Sequence, residues 1–114
     1  MDIKAEQKSG KELPVACDPT ALDAGQRERK QSLQERLRAD VEEVKELPDG
    51  YAFRHSSGRE VLLALAEFVA LERLCCPFFD FGIEVESGGG PVWLGVTGGE
   101  EAKRVLRAEL RVGA

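Results

Sequence analysis

The chain has 114 residues, an apolar share of 42 %, three cysteines and a formal net charge of −5. That length allows one domain with one real core, and the acidic balance argues against a nucleic-acid partner, since holding phosphates needs a basic face. No apolar run is long and uncharged enough to span a membrane.

Residues 1–12 are polar and aperiodic and read as a mobile tail ahead of one domain over 13–112. They carry Lys and Glu without an apolar centre, unlike a secretory signal, so a cytoplasmic location with reduced thiols is expected. An odd number of cysteines argues against a structural disulfide framework. Leu13 to Cys17 is a short apolar run with Pro14 near its start, as in an edge strand, ended by Asp18-Pro19. Asp23 and Gln26 have the spacing of a capping box and open a helix running to about Asp40. Its apolar contacts are Leu33 and Leu37; Arg27, Glu28, Arg29, Lys30, Glu35, Arg36 and Arg38 form a solvated face.

Val41–Leu47 and Tyr51–Ser56 read as two strands around Pro48-Asp49-Gly50, with Pro setting the bend and Gly taking positive φ. Ser57 and Glu60 form a second capping box. The helix that follows places Val61, Leu65, Phe68, Val69, Cys75 and Cys76 on one face at about 100° per residue, with Glu72 in its middle. Pro77 disfavours helical backbone at Cys76, so the helix should end there. Phe79, Phe81, Ile83 and Val85 alternate with Asp80, Gly82, Glu84 and Glu86 as a half-buried strand. Gly88-Gly89-Gly90 makes a turn, and Val92, Leu94 and Val96 form the inner face of the returning strand, leaving Trp93 to face outward. Thr97 and Glu100 suggest a third capping box for a last helix to about Leu110, with Ala102, Val105, Leu106 and Leu110 inward.

The order βαββαββα predicts an α+β domain with an antiparallel-rich sheet and helices on one face. Its first six elements have the order of a ferredoxin-like unit. Followed through, that order puts Cys17, the Pro48–Gly50 turn and Cys75-Cys76 at one end of the domain and His55 at the other.

A carboxylate on the most buried helix face costs stability unless it is paired, and Glu72 stands three and four positions before the two cysteines, within reach of either. Cys17, Cys75 and Cys76 are candidate ligands of a soft ion such as mercury(II), copper(I), zinc or arsenic(III), with Glu72 as proton acceptor or oxygen ligand. Successive helical side chains diverge, so one ion takes both adjacent sulfurs only if Pro77 bends Cys76 out of the helix. A helix C-terminus raises a thiol's pKa, so a nearby cation is needed, and Arg73 points to the polar face. The plain alternative is that free Cys is a small, buried hydrophobe and Glu72 a paired carboxylate at the core edge. His55 is the single histidine, which excludes a multi-histidine metal site; a Cys-His nucleophile pair is possible in principle but is split by the length of the domain in this topology, and no complete acid–base or nucleophile set for an enzyme is visible.

At ELPDGYAFRH, ALERLCCPFFDFGIEVE and GGGPVWLGVTG the chain resembles a group of small bacterial proteins marked by an ER-x-CCPF stretch after a Leu- and Ala-rich helix, with a single Cys near the N-terminus. The matching residues are Cys17, Glu72, Arg73, Cys75, Cys76, Pro77 and Phe78. Related segments are similar to ones beside, or fused to, regulators of the mercury-responsive type, which implies a heavy-metal context. The expected function is a thiol-based soft-metal or metalloid binding protein serving sequestration, sensing or delivery. The alternatives are a dithiol/disulfide redox protein on the same residues, and an interaction or homodimerisation module, with a regulator protein as one partner, whose contact surfaces are the first helix and Trp93.

Overall fold

The structure, a computed structural model, describes residues 15–113, with side chains as far as Glu109. The tail at 1–12 and the start of the expected first strand, Leu13 and Pro14, lie outside the described residues. Val15–Cys17 is irregular and is followed by a single 3₁₀ turn, Pro19–Ala21, capped by Asp18. Then come α1 (Ala24–Asp40), β1 (Glu43–Leu47), β2 (Gly50–His55), α2 (Arg59–Cys75), β3 (Asp80–Val85), β4 (Val92–Thr97) and α3 (Glu100–Gly113).

The fold is α+β, as expected, but among the described residues its order is αββαββα. The four strands run β1-β2-β4-β3, every neighbouring pair antiparallel. In a ferredoxin-like arrangement the run ending at Cys17 would lie beside β2. Here β4 takes that place, with Tyr51 opposite Val96 and Phe53 opposite Leu94. Two β-hairpins are thus joined through their second strands, and each hairpin follows a helix. Trading a strand at Val15–Cys17 for an irregular segment and a 3₁₀ turn frees that stretch to reach the end of α2.

The register decides which residues face the helices. Val44, Phe53, Leu94 and Ile83 form one cross-strand row, and Glu46, Tyr51, Val96 and Phe81 the next. Their central members, Tyr51, Phe53, Leu94 and Val96, are buried beneath the helices. On the other face Trp93 stands opposite Arg54 and Glu84, its indole N–H donating to Glu86 and its ring under Lys45, as the alternation predicted.

The capping box at Asp23 and Gln26 forms with both hydrogen bonds in place. The other two do not. α2 starts at Arg59 behind Gly58, which supplies no side-chain cap, and α3 starts at Glu100 directly after Gly99. Ser57 and Thr97 therefore lie outside the cap positions. In the β1–β2 turn Gly50 does not take positive φ. It is glycine because a Cβ there would collide with the Val96 carbonyl and lie 2.7 Å from Thr97 Cα. In the β3–β4 turn, by contrast, Gly88 and Gly89 do adopt positive φ, 71° and 72°.

α2 buries Ala64, Leu65, Phe68, Glu72 and Cys75. Removing Leu65 and Phe68 from water stabilises the fold by about 1.5–3 kcal/mol each. α1 adds Leu33 and Leu37, and α3 adds Ala102 and Leu106 with Val105 packed against them; the side chain of Leu110 lies outside the described part. Among the described residues no helix is long and apolar enough to cross a membrane.

Candidate thiol site

The site forms where α2 stops. Pro77 pushes the preceding residue out of helical backbone, and Cys76 accordingly takes φ −124° and ψ 70° while its N–H still donates to the Glu72 carbonyl at 2.8 Å. This swings the Cys76 sulfur off the helical row, so that it lies 3.7 Å from that of Cys75 despite the usual divergence of adjacent side chains. The N-terminal segment meets it there. The Asp18 N–H donates to the Cys75 carbonyl at 2.6 Å, satisfying one of the last-turn carbonyls that a helix leaves without a partner, and Leu22 anchors the turn in the core. Cys17 is thereby delivered to Cys76, and the two are joined as a disulfide across 59 residues of sequence. The three cysteines thus divide into one cross-linked pair and a free, buried Cys75, a single bridge and not a framework of several.

The three sulfurs differ in access. Cys17 is exposed, whereas Cys75 and Cys76 are buried. Cys75 lines a cleft of about 400 Å³ together with Leu22, Arg27, Lys30, Gln34 and Arg38. Arg27 is spent on the chain itself, donating to the Leu22 carbonyl at 2.6 Å.

Glu72 is 5 % exposed, and its carboxylate lies 2.9 Å from the Lys30 ammonium. This is the required cation. It comes from α1, from the charge run expected to be only a solvated face. Nothing local could have flagged it, since the pairing spans 42 positions and depends on how α1 packs on α2. Burial by itself pulls the Lys30 pKa down, but the hydrogen bond and charge of Glu72, helped by Cys75 and Glu109, outweigh it and leave it raised. The Cys75 thiol lies 3.3 Å from Glu72 Oε1. Burial, then the charge and hydrogen bond of Glu72, push its pKa up to about 11, with Lys30 opposing. Cys75 is thus a protonated donor to a carboxylate that is itself held by an ammonium.

Ligand atoms of Glu72, Cys75 and Cys76 all lie within 4.8 Å of one another. The structure therefore brings together all four residues singled out from the sequence. His55 is elsewhere, buried beside Asp40 near the C-terminus of α1, so a Cys-His pair does not form. Chemically the cluster offers two states. Oxidised, it holds one disulfide and one thiol. Reduced, it would present three sulfurs and a carboxylate around one point. Comparison of the chain with protein families, with curated proteins and with solved structures finds no match.

Proposed function

We propose that this chain is a thiol-based binding protein for a soft metal or metalloid ion, with Cys17, Cys75 and Cys76 as ligands and Glu72 as the group that takes or replaces a ligand proton. The observation that carries the reading is the meeting of three sulfurs from two distant segments beside a buried carboxylate. Soft thiolates favour mercury(II), copper(I), zinc and arsenic(III) over hard cations. Binding releases the thiol protons; Glu72 is placed to accept that of Cys75, and Lys30 balances the charge. The Cys17–Cys76 disulfide is then the closed form, since it withdraws two ligands, and reduction through the exposed Cys17 opens the site. A reducing compartment, the cytoplasm, suits such a protein. Its role would be sequestration, sensing or delivery, the last with a regulator protein or a second copy as recipient.

The test is native mass spectrometry of the reduced chain, titrated without oxygen against each of the four ions, beside Cys17→Ser and the Cys75→Ser/Cys76→Ser double variant. One ion per chain, lost in both variants, is expected. No specific uptake by the wild type sinks the reading.

The disulfide itself favours a second reading, in which Cys17 and Cys76 cycle between dithiol and disulfide. A defined reduction potential without ion uptake would select it.

A further inference from the structure

The core is not closed over its whole extent. Between the sheet and the helices lies a cavity of about 470 Å³, within the size range of small-molecule sites and far larger than the voids of a packed interior. Phe53, Leu94 and Val96 form its floor, and Leu37, Phe68 and Leu106 come from the three helices. Phe79 and Phe81, in edge-to-face contact with each other, add two rings to the wall. Val44 at the rim keeps 48 % of its surface exposed although it shares the row of Phe53 and Leu94. None of the three cysteines lines this space; Glu72 borders both it and the thiol site, and the cavity is read here through its phenylalanines and Glu109.

Its polar groups are few. His55 is bound to Asp40 and Glu72 to Lys30. Glu109, from α3, faces the same space, and with Glu72 it gives the cavity two carboxylates. Burial and then the negative charge of Glu72 raise the pKa of Glu109, and Lys30 and Arg38 oppose this without cancelling it. Arg38 also lines the cavity, at its exposed lip, where water screens it. With Lys30 on Glu72 and Arg38 at the lip, Glu109 is the carboxylate left for a ligand: a cationic head group would pair with it, whereas an anionic one would face both carboxylates.

We propose that the cavity binds a small amphipathic amine, its flat apolar body among the phenylalanines and its ammonium group on Glu109 beside Glu72. The body gains from burial against aromatic faces, and the head from a charge-assisted hydrogen bond.

The experiment compares three probes of one shape, 2-naphthylmethylamine, 2-naphthylmethanol and 2-naphthoate, by calorimetry at pH 7 on the full chain with its disulfide intact. The expected result is saturable one-to-one binding of the amine, about tenfold tighter than the alcohol, the size of one charge-assisted hydrogen bond, and tighter still than the acid. Glu109→Gln should bring the amine to the level of the alcohol and leave the alcohol unchanged. Val96→Phe, which fills the floor, should abolish binding of all three; should it not fold by circular dichroism, the Glu109→Gln comparison decides alone. Absence of saturable binding, an alcohol or acid as tight as the amine, or an amine indifferent to Glu109→Gln overturns the proposal.

Discussion

Two polar clusters each lie beside the C-terminus of a helix. At the end of α1, Asp40 accepts from the Ser56 amide at 3.1 Å and the Ser56 hydroxyl at 2.7 Å, and pairs with His55 Nδ1 at 3.1 Å. At the end of α2, Glu72 holds Lys30 at 2.9 Å and the Cys75 thiol at 3.3 Å. The first cluster is local, built from residues 15 or 16 positions apart that join a helix to the last residues of a strand. The second draws on three separate segments and includes atoms that can form or break a covalent bond. A carboxylate satisfied by an amide, a hydroxyl and an imidazole is a structural clasp. The same group set against thiols and an ammonium can change protonation and ligation. The difference is why the proposed function is drawn from the sulfur cluster and not from His55.

The comparison can be broken most easily at the disulfide. Closing a 59-residue separation is worth about 4 kcal/mol in the chain-entropy picture. Urea unfolding with and without reductant should therefore show a large fall in stability, matched by Cys17→Ser in oxidising buffer. No change would mean that the cross-link constrains nothing. Next in size is Lys30→Ala. Leaving Glu72 buried without its cation should cost about 3 kcal/mol, at the low end for such a pair because Lys30 keeps 21 % of its side chain in water. Restoration of most of the loss in Lys30→Met/Glu72→Gln, measured by the same melts, would establish the pair as the cause.

Reactivity is a third handle. With its pKa at about 11, Cys75 should be alkylated by iodoacetamide at pH 8 roughly a hundredfold more slowly in the folded protein than in urea, from thiolate fraction alone. Mass spectrometry of the labelled peptide would read the ratio, and equal rates would contradict the geometry at Glu72. The smallest effect belongs to the clasp. Ser56→Ala should cost about 1.5 kcal/mol, a hydrogen bond to a charged group, without altering ion uptake.

The pH response should separate the two clusters. Burial alone would raise the Asp40 pKa, but the hydroxyl and amide of Ser56 and the His55 ring hold it below its ordinary 3.8. Its contribution is present above that value and is lost as pH falls further. The Cys75 pKa is raised, so its contribution is present below 9.0 and is lost as pH climbs toward about 11. Asp40→Asn should flatten the acid limb of stability against pH, and Cys75→Ser the alkaline limb. Both effects on one limb would refute the distinction.

Much of the architecture is legible in local sequence patterns. α2, its burial of Glu72 and its stop at Cys76 follow from local rules: a 3.6-residue apolar period and the steric effect of proline on the residue before it. The Asp23–Gln26 box is real for the same reason. Ser57 and Thr97 show where such rules fail, because a side-chain pair at the right spacing caps a helix only if the backbone starts there. The strand expected to end at Cys17 illustrates another failure. A short apolar run is compatible with a strand, but sheet membership needs a free edge, and the edge of β2 is taken by β4.

By itself, then, the sequence determined the three helices and four strands of the described residues, though not the absence of a strand at Val15–Cys17, and with them the α+β class, the outward face of Trp93 and the residues that could carry chemistry, because each rests on periodicity or on one residue's own backbone preference. The tertiary structure alone decided that Cys17 is linked to Cys76 and not to Cys75, that Lys30 is the cation for Glu72, and that Glu109 and Glu72 share an apolar cavity. Each of these is a contact between segments far apart in the chain. Which side chains meet across such distances depends on the order of the strands and the packing of one helix on another, and no local pattern encodes either.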